Sequence, residues 1–393
     1  MHVIALPELD AFRAEARDWL ARNVPRSPRP PEGEAMREFD LAWQRTQFEA
    51  GWAGIAWPKA YGGRGASLLE QLIWYEEYAR AGGPPLGSLF VALSHAGPTL
   101  IIKGSEEQKA EHLPKILRGD VLWCQGFSEP GAGSDLASLR THAELDGDHL
   151  VVNGSKIWTS YGHLARYQEL LARTDREAPA RHGISWVICD MKTPGVSVRP
   201  IKAMSGLTHF CQVFYDNVRI PLANVVGGLN NGWQVAMTTL GFERGAGTIS
   251  HQIELARALD ALIDAASRPA SGANNRRLID DDHVAAKLAQ LKAEVSALRS
   301  LTALSISRGL REAVPGAEGN IVALYFADLT KRLHAVALDL FAPHALSRSG
   351  PLGDWTLHYL EAFKWSIGGG TSEIRRNTIG ERVLGLPKPK VGR

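Results

Sequence analysis

The sequence predicts an α+β chain in three zones: a helical domain over 1–120, a β domain over 121–230 and a second helical domain over 231–393. Three observations carry this. Apolar residues recur at three- and four-residue steps at both ends of the chain. The period drops to two in the middle, and the paired turn signals fall in that zone. In the first zone Leu9, Phe12, Ala16, Trp19 and Leu20 share one helical face, and Leu69, Leu72, Ile73, Glu76 and Tyr78 begin another. The Pro-rich stretch Val24–Pro31 links two helices. Lys103–Asp120 reads as a helix capped by Ser105, broken at its proline and stopped by its glycine.

In the middle zone Asp146-Gly147 and Asn153-Gly154 are hairpin signals, since a type I′ turn needs positive φ at both central residues. They flank His149–Val152 and precede Lys156–Ser160, and Ile184–Asp190, Val196–Pro200 and Gln212–Ile220 continue the short strands. Strands without intervening helices predict an antiparallel barrel or sandwich, not a parallel nucleotide-binding sheet. In the last zone Val284, Leu288, Leu291, Val295 and Leu298 line one helix, and Ile321, Tyr325, Leu329, Leu333, Val336 and Leu340 the next. Long helices with short connectors are what a four-helix bundle needs, and Ser267–Arg277 separates two of them. Asp280–His283 reads as a cap for the helix that follows.

Composition removes several function classes. A chain of 393 residues with 45% hydrophobic content has room for two or three domains. A net charge of +2 without a basic stripe argues against a nucleic-acid partner. Three widely spaced cysteines with no C-x-x-C fit a reducing compartment. The N-terminus lacks the basic start and unbroken apolar core of a signal peptide, and no apolar run approaches the roughly 18 residues of a membrane span. A soluble, cytoplasmic protein is expected. The thirteen histidines form no H-E-x-x-H or Cys/His cluster, so no metal is expected. No G-x-S-x-G elbow occurs.

The candidate chemistry lies in Gln125–Asp135, QGFSEPGAGSD, and in Lys156–Ser160, KIWTS. The first segment exposes backbone N–H groups and lets a planar, electron-rich ligand approach the main chain. The second sets Trp158 beside the hydroxyls of Thr159 and Ser160, on what reads as the far arm of a hairpin. A flavin that accepts a hydride becomes anionic along one edge, so it needs preorganised donors there and a packed surface against its ring. Phe127, Ser128, Gly133 and Ser134 sit in a loop able to supply such donors. Taken singly, GAGSD is a surface turn and Trp158 a core aromatic; the specific signal is the two motifs at this spacing. No G-x-G-x-x-G follows a strand and no G-x-x-x-x-G-K-[ST] occurs, so FAD held by irregular loops is expected rather than NAD.

Together these motifs resemble the signature of the acyl-CoA dehydrogenase family, and the similarity covers nearly the whole chain. Gly51–Gly63, Gly104–Gly119, FYDNVRIP at Phe214–Pro221 and TSEIRRNTIGERVLGL at Thr371–Leu386 resemble further family segments. The resemblance implies a helical domain, a small antiparallel β-barrel domain and a C-terminal four-helix bundle. It implies FAD bound by Gln125, Phe127, Ser128, Gly133, Ser134, Trp158, Thr159 and Ser160, and by Gly370, Thr371 and Glu373 near the C-terminus. Ser134 would face the thioester of an acyl-CoA substrate. Electrons would pass to an electron-transfer flavoprotein, and the assembly would be a homo- or hetero-oligomer, a dimer or tetramer.

Dehydrogenation across the α and β carbons of a thioester needs a base for the α proton, and a carboxylate shielded from water suits this. Many members carry it in a Y-E-G-T string. The matching residues are Gly368-Gly369-Gly370-Thr371, with Gly369 at the base position. In GWQVAMTTLGFERGAG, Trp233, Ala236, Leu240, Glu243 and Gly247 fall on one helical stripe, which puts Glu243 on the apolar face. A branch that includes the isovaleryl-CoA dehydrogenases has its base at this helix position, followed by Arg. The resemblance therefore assigns Glu243 as base, with Arg244 contacting the substrate or holding charge. A structural ion pair of Glu243 with Arg244 or another helix is the alternative, and would fit the non-catalytic subunit of a heteromer. An oxidase or monooxygenase on the same scaffold is a further alternative. The chain departs from the pattern twice. The R-x-x-F-G arginine that reaches a partner's FAD has no clean match, Arg276 or Arg277 being the nearest substitutes, and Leu340–Leu346 replaces the Q-x-x-G-G-x-G string. The Arg-rich turns of the C-terminal segment read as ordinary solvated helix faces.

Overall fold

Apolar faces, with side-chain caps at Ser67 and Ser105, set the helices of the first of two compact units, Met1–Glu243 and Arg244–Arg393. The computed structural model describes residues 7–242, 247–269, 276–309, 317–342 and 354–387. In the first unit α1 (Pro7–Asn23), α2 (Gly33–Glu49), α3 (Leu68–Arg80), α4 (Gly97–Lys103) and α5 (Glu106–Leu117) precede the sheet. On α1 the buried residues are Phe12, Ala16 and Leu20, as the periodicity predicts. Ser105 caps α5 in a reciprocal capping box with Gln108. Pro114 lies inside α5 and does not break it. Proline there forgoes a single intrahelical bond, while Leu113, Ile116 and Leu117 around it are buried and hold the turn.

The strands are β1 (Trp123–Gly126), β2 (His142–Asp146), β3 (His149–Ser160), β4 (Tyr167–Arg173), β5 (Ile184–Asp190), β6 (Val196–Ile201), β7 (Phe210–Pro221) and β8 (Val225–Val226). The pairing order is β6-β7-β3-β2-β4-β5-β8, with β1 added on β4. The sheet is mixed, not purely antiparallel, because β1 runs parallel to β4 and β2 meets β4 through a parallel bridge at His142 and Arg173. No pairing among the described residues joins β6 to β8, so the ladder does not close into the expected barrel. The parallel pair is possible because residues 127–166, which carry β2 and β3, form a long crossover from β1 to β4, which a hairpin-based reading overlooks. Strands β4 and β5 are buried on both faces. Leu171, Ile184, Trp186 and Ile188 pack with Leu100, Leu113 and Ile116 of α4 and α5, while Leu170, Ala172, Val187 and Cys189 face Val152, Val213 and Val218. They read as continuous apolar runs for that reason.

One of the two turn signals is a true turn. Asp146 pairs with His149, so Gly147 and Asp148 are the central residues, and only Gly147 has positive φ, at 60°. That is the type II′ pattern, with glycine first. Asn153-Gly154 instead lies inside β3, where the register with β7 shifts between Val152 and Gly154. Gly154 has φ 143°, and a Cβ there would come within 2.7 Å of the Thr141 Cα. The dipeptide is a bulge, stitched by Asn153 to Asn217 of β7. It sets the phase of the KIWTS segment that ends the same strand.

Helix α6 (Gly232–Phe242) closes this unit. Its buried residues are Gly232, Val235, Ala236 and Thr239, while Trp233 and Leu240 are half-buried. The inward stripe is therefore centred on the 232/235/236/239 row rather than on Trp233 and Leu240. The Thr239 and Thr99 hydroxyls hydrogen-bond at 2.9 Å, joining α6 to α4.

The second unit holds α7 (Gly247–Ser267), α8 (Asp282–Gly309), α9 (Gly319–Phe341), α10 (Trp355–Ala362) and α11 (Ser372–Thr378). Leu255, Leu259 and Leu262 of α7 meet Leu288, Leu291 and Leu298 of α8 and Leu329 and Leu333 of α9. Asp281 caps α8 by accepting from the His283 and Val284 amides, as the sequence predicts.

The bulge gives a direct test. Gly154→Ala should destabilise the protein by about 1–3 kcal/mol through the backbone clash and the left-handed strain, read as a lower thermal midpoint. An unchanged midpoint would refute the close approach.

Candidate active site

The QGFSEPGAGSD loop leaves β1 and has no long ladder of its own. Its first turn closes through reciprocal backbone bonds between Glu129 and Ala132, at 3.0 and 3.1 Å. The Ile157 amide donates to the Ser128 carbonyl at 2.9 Å, tying the loop to β3. Beneath it the fully buried Lys156 donates to the Glu129 Oε1 at 2.8 Å and to the Phe127 carbonyl at 3.1 Å. The same carboxylate accepts from the Arg140 and Thr141 amides at 2.7 and 2.8 Å. Both ends of the loop are thereby pinned to one buried charge pair. Burial pushes Lys156 down to about 8, with Glu129 opposing, so the ammonium is still charged at pH 7. Burial alone would raise Glu129, but the charge and hydrogen bond of Lys156 and the two amides outweigh it and hold the carboxyl below its ordinary 4.5.

Sequence reasoning missed this pair. The available signal was two opposite charges inside apolar motifs, one in each half of the signature. It missed a second cluster as well. Gln125 donates to Glu169 at 2.7 Å and lies 3.1 Å from the His95 Nδ1, which is 3.2 Å from the same carboxylate. His95 stands on a π-helical stretch, Ala92–Ala96, a local distortion that often accompanies functional sites.

Each expected cofactor residue has a defined place. Phe127 is buried, Ser128 is half-buried, and Gly133 and Ser134 are exposed at the loop tip. Trp158 is 57% exposed and adopts φ 61°. A bulky residue in the left-handed region costs about 1–3 kcal/mol and persists only where the surroundings enforce it. Here the β3–β7 register shifts between Lys156 and Thr159, and Phe210 meets the indole edge-on at 6.0 Å. The ring is thus held out as an open face and is no core aromatic. Thr159 is fully buried, and its Oγ1 finds no partner among the described residues. Ser160 pairs with Phe210 at the strand end. An open indole face, an unused hydroxyl beside it and unobstructed space at Gly133 fit a flat aromatic cofactor with a polar rim.

In the second unit Gly369 and Gly370 have φ 65° and 101°, and Thr371 caps α11 through the Ile374 amide. Glu373 is exposed. The Arg-rich segment is not all solvated, since Arg375 is 8% exposed and donates to the Trp365, Gly368 and Ala323 carbonyls. It braces the glycine turn. Arg277 forms an exposed pair with Asp280. Glu243, Arg244 and residues 343–346 lie outside the described residues, as do residues 270–275. No group of three or more His, Cys, Asp or Glu able to hold a metal occurs among the described residues.

Family models match along the chain: the acyl-CoA dehydrogenase N-terminal domain over residues 7–120, its middle domain over 124–218 and its C-terminal domain over 230–384. The chain belongs to the acyl-CoA dehydrogenase family. It is 39% identical to acyl-CoA dehydrogenase IpdE1 of Mycobacterium tuberculosis over 98% of this chain and 100% of that one. Among solved structures it resembles the Tcur3481-Tcur3483 steroid ACAD with a TM-score of 0.87 and 31% identity, covering 99% and 100% of the two chains. The ChsE4-ChsE5 complex of M. tuberculosis gives 0.84 and 31%, with the same coverage. The family is one of flavoproteins, and its fold of N-terminal helices, middle sheet and C-terminal helices is the one observed. No described helix is long and apolar enough to cross a membrane.

The buried pair predicts a pH effect. Because Glu129 titrates below its unfolded value, it contributes stability at neutral pH that is lost as pH falls below about 4.5. Glu129→Gln should flatten the acid limb of the stability profile, read by thermal midpoint against pH. Lys156→Met should cost about 3–5 kcal/mol by leaving that carboxylate buried and unpaired. A wild-type acid limb in the first variant would reject the assignment.

Proposed function

We propose that this dehydrogenase oxidises a bulky, steroid-derived acyl-CoA thioester to its 2-enoyl-CoA, with FAD as cofactor and Glu243 as base. The observation that carries the cofactor is Trp158, an exposed indole in a strained backbone position beside the unused Thr159 hydroxyl. FAD, when bound, would supply the hydride acceptor for Cβ. The chain's own residues do the rest. Trp158 offers its face to the ring, Thr159 and Ser160 offer donors to its polar rim, and the amides of Phe127, Ser128, Gly133 and Ser134 line the loop. Gln125 contributes from the loop's start, and Gly370, Thr371 and Glu373 are proposed as further cofactor residues. Ser134 is proposed to face the thioester and Arg244 to contact the substrate. Glu243 takes the α proton; its sequence position, with glycine where other members carry their base, supports this. The acyl class rests on the likeness to the steroid ACAD. We further propose an oligomer and an electron-transfer flavoprotein as acceptor.

A second reading is a non-catalytic subunit of a heteromer. It is favoured by Gly369 at the usual base position and by two structural neighbours whose names each pair two proteins. Flavin reduction separates the two readings: bleaching of the purified chain's flavin by an acyl-CoA requires a working base.

Glu243→Gln should keep the flavin and slow its bleaching by about a thousandfold or more, as loss of general-base and positioning effects combine. Wild-type bleaching by the variant would end the assignment. Trp158→Ala should weaken FAD retention by about tenfold or more, measured by flavin-to-protein ratio after dialysis. Full retention would remove the indole from the site. A panel of short, branched, long and sterol-like CoA esters tests the acyl class, and preference for a short straight chain would overturn it.

A further inference from the structure

Two bulky residues at the end of β3, Trp158 and Tyr161, sit in the left-handed region, at φ 61° and 54°. Such conformations persist only where surrounding contacts enforce them. The register slip accounts for Trp158. Tyr161 is held otherwise. Its amide donates to the His209 carbonyl at 2.6 Å, and its carbonyl accepts from the Leu164 and Ala165 amides at 2.9 and 3.1 Å. Its phenol faces the Arg29 guanidinium and shares a hydrogen bond with it.

Arg29 is anchored in turn. It belongs to the Pro-rich stretch between α1 and α2, where Pro28 and Pro30 restrict the backbone that carries it. Its fork meets the buried Asp40 of α2 at 2.6 and 2.7 Å, and the Ser88 hydroxyl donates to the same carboxylate at 2.6 Å. At the end of the stretch Glu32 accepts from the amide and the hydroxyl of Thr208, at 3.0 and 2.8 Å. Thr208 precedes His209, which takes the Tyr161 amide and packs at 4.2 Å on Phe210, the ring that meets Trp158. The stretch therefore grips the end of β3 and the approach to β7, the two strands that flank the indole.

We propose that Arg29 and Tyr161 are positioning residues for the cofactor site: the Pro-rich stretch, anchored on Asp40, holds the end of β3 through the Tyr161 phenol and so keeps the Trp158 indole facing outward for the flavin ring. This rests on the FAD reading above and adds what fixes its stacking surface. A guanidinium suits the task, since its five donors serve a carboxylate along one edge and a phenol from another while the group stays charged at every working pH. A lysine ammonium, a point charge on a flexible stem, has no such fixed fork.

The test uses the full chain, with and without FAD. Tyr161→Phe removes the hydroxyl and leaves the Arg29–Asp40 pair intact, so the fold should be kept. In the FAD-free protein, amide hydrogen exchange across residues 156–165 should quicken by about tenfold, the loss of one charge-assisted bond. With FAD, the dissociation constant should rise by about tenfold. The bound flavin's visible absorption should also move toward that of Trp158→Ala, a signature that a general loss of stability does not produce. Added to Trp158→Ala, Tyr161→Phe should cost no further affinity, because the hydroxyl acts through the indole. Arg29→Lys keeps a charge against Asp40 and should behave as Tyr161→Phe does. Unchanged exchange in Tyr161→Phe would overturn the proposal, as would an equal loss of affinity with and without the indole. Wild-type behaviour of Arg29→Lys would overturn the arginine's part. If the wild type takes up no FAD and exchange in Tyr161→Phe still quickens, the flavin reading fails while the hold on the strand stands.

Discussion

A single ammonium group, buried under an irregular loop, organises the site. Loops that must present backbone N–H groups to a ligand cannot spend those groups on a ladder, so something else has to fix their shape. Here Lys156 and Glu129 do so. The lysine reaches the carbonyl at the loop's entry, and the carboxylate gathers two amides at its exit. A buried pair of this kind is poor as a source of net stability, because desolvation offsets most of the attraction. Its value is specificity, since any other loop shape leaves a charge without a partner. The tip, with Gly133 and Ser134, is then free to face outward while its base is held.

The pair also couples two strands' worth of geometry. Lys156 begins the KIWTS segment, and two residues on, the strand's register shifts and Trp158 turns into the left-handed region. With the lysine side chain pointing inward to Glu129, strand alternation sends Trp158 to the same face as Lys156 unless the backbone departs from regular pleating. The bulge supplies that departure. An inward anchor and an outward indole two residues apart are compatible only because the ladder slips between them.

Much of this was legible in the sequence, and the parts that were not share a cause. Helix faces such as Phe12/Ala16/Leu20, and the cap on α5, follow from local periodicity and side-chain chemistry. The two motifs are tied together in the fold, the Ser128 carbonyl accepting from the Ile157 amide and the Glu129 carboxylate from Lys156. The errors lie where long-range pairing overrides local preference. Asn153-Gly154 has the composition of a turn, but its partner is β7, and tertiary pairing makes it a bulge. Pro114 ought to break a helix, but packing of its neighbours outweighs one lost hydrogen bond. The parallel β1–β4 contact depends on a crossover that periodicity does not record. Arg375 looked solvated because its acceptors are backbone carbonyls from elsewhere in the chain, which leave no trace in its own neighbourhood.

The glycine turn of the second unit bears on where the base can be. Gly369 and Gly370 both have positive φ, and Arg375 grips the carbonyl of Gly368 beside them. At φ 65° a side chain at 369 costs about 1–2 kcal/mol before any carboxylate is desolvated. Position 369, which the family resemblance matches to a catalytic glutamate, is shaped in this chain for a residue without a side chain. Glycine adopts this backbone without the Cβ cost that any other residue would meet. Residues 368–370 are all glycine, so this turn offers no carboxylate, and the base proposed above stands on a different element. Glu243, which follows α6 in the sequence, is the acid proposed for that role.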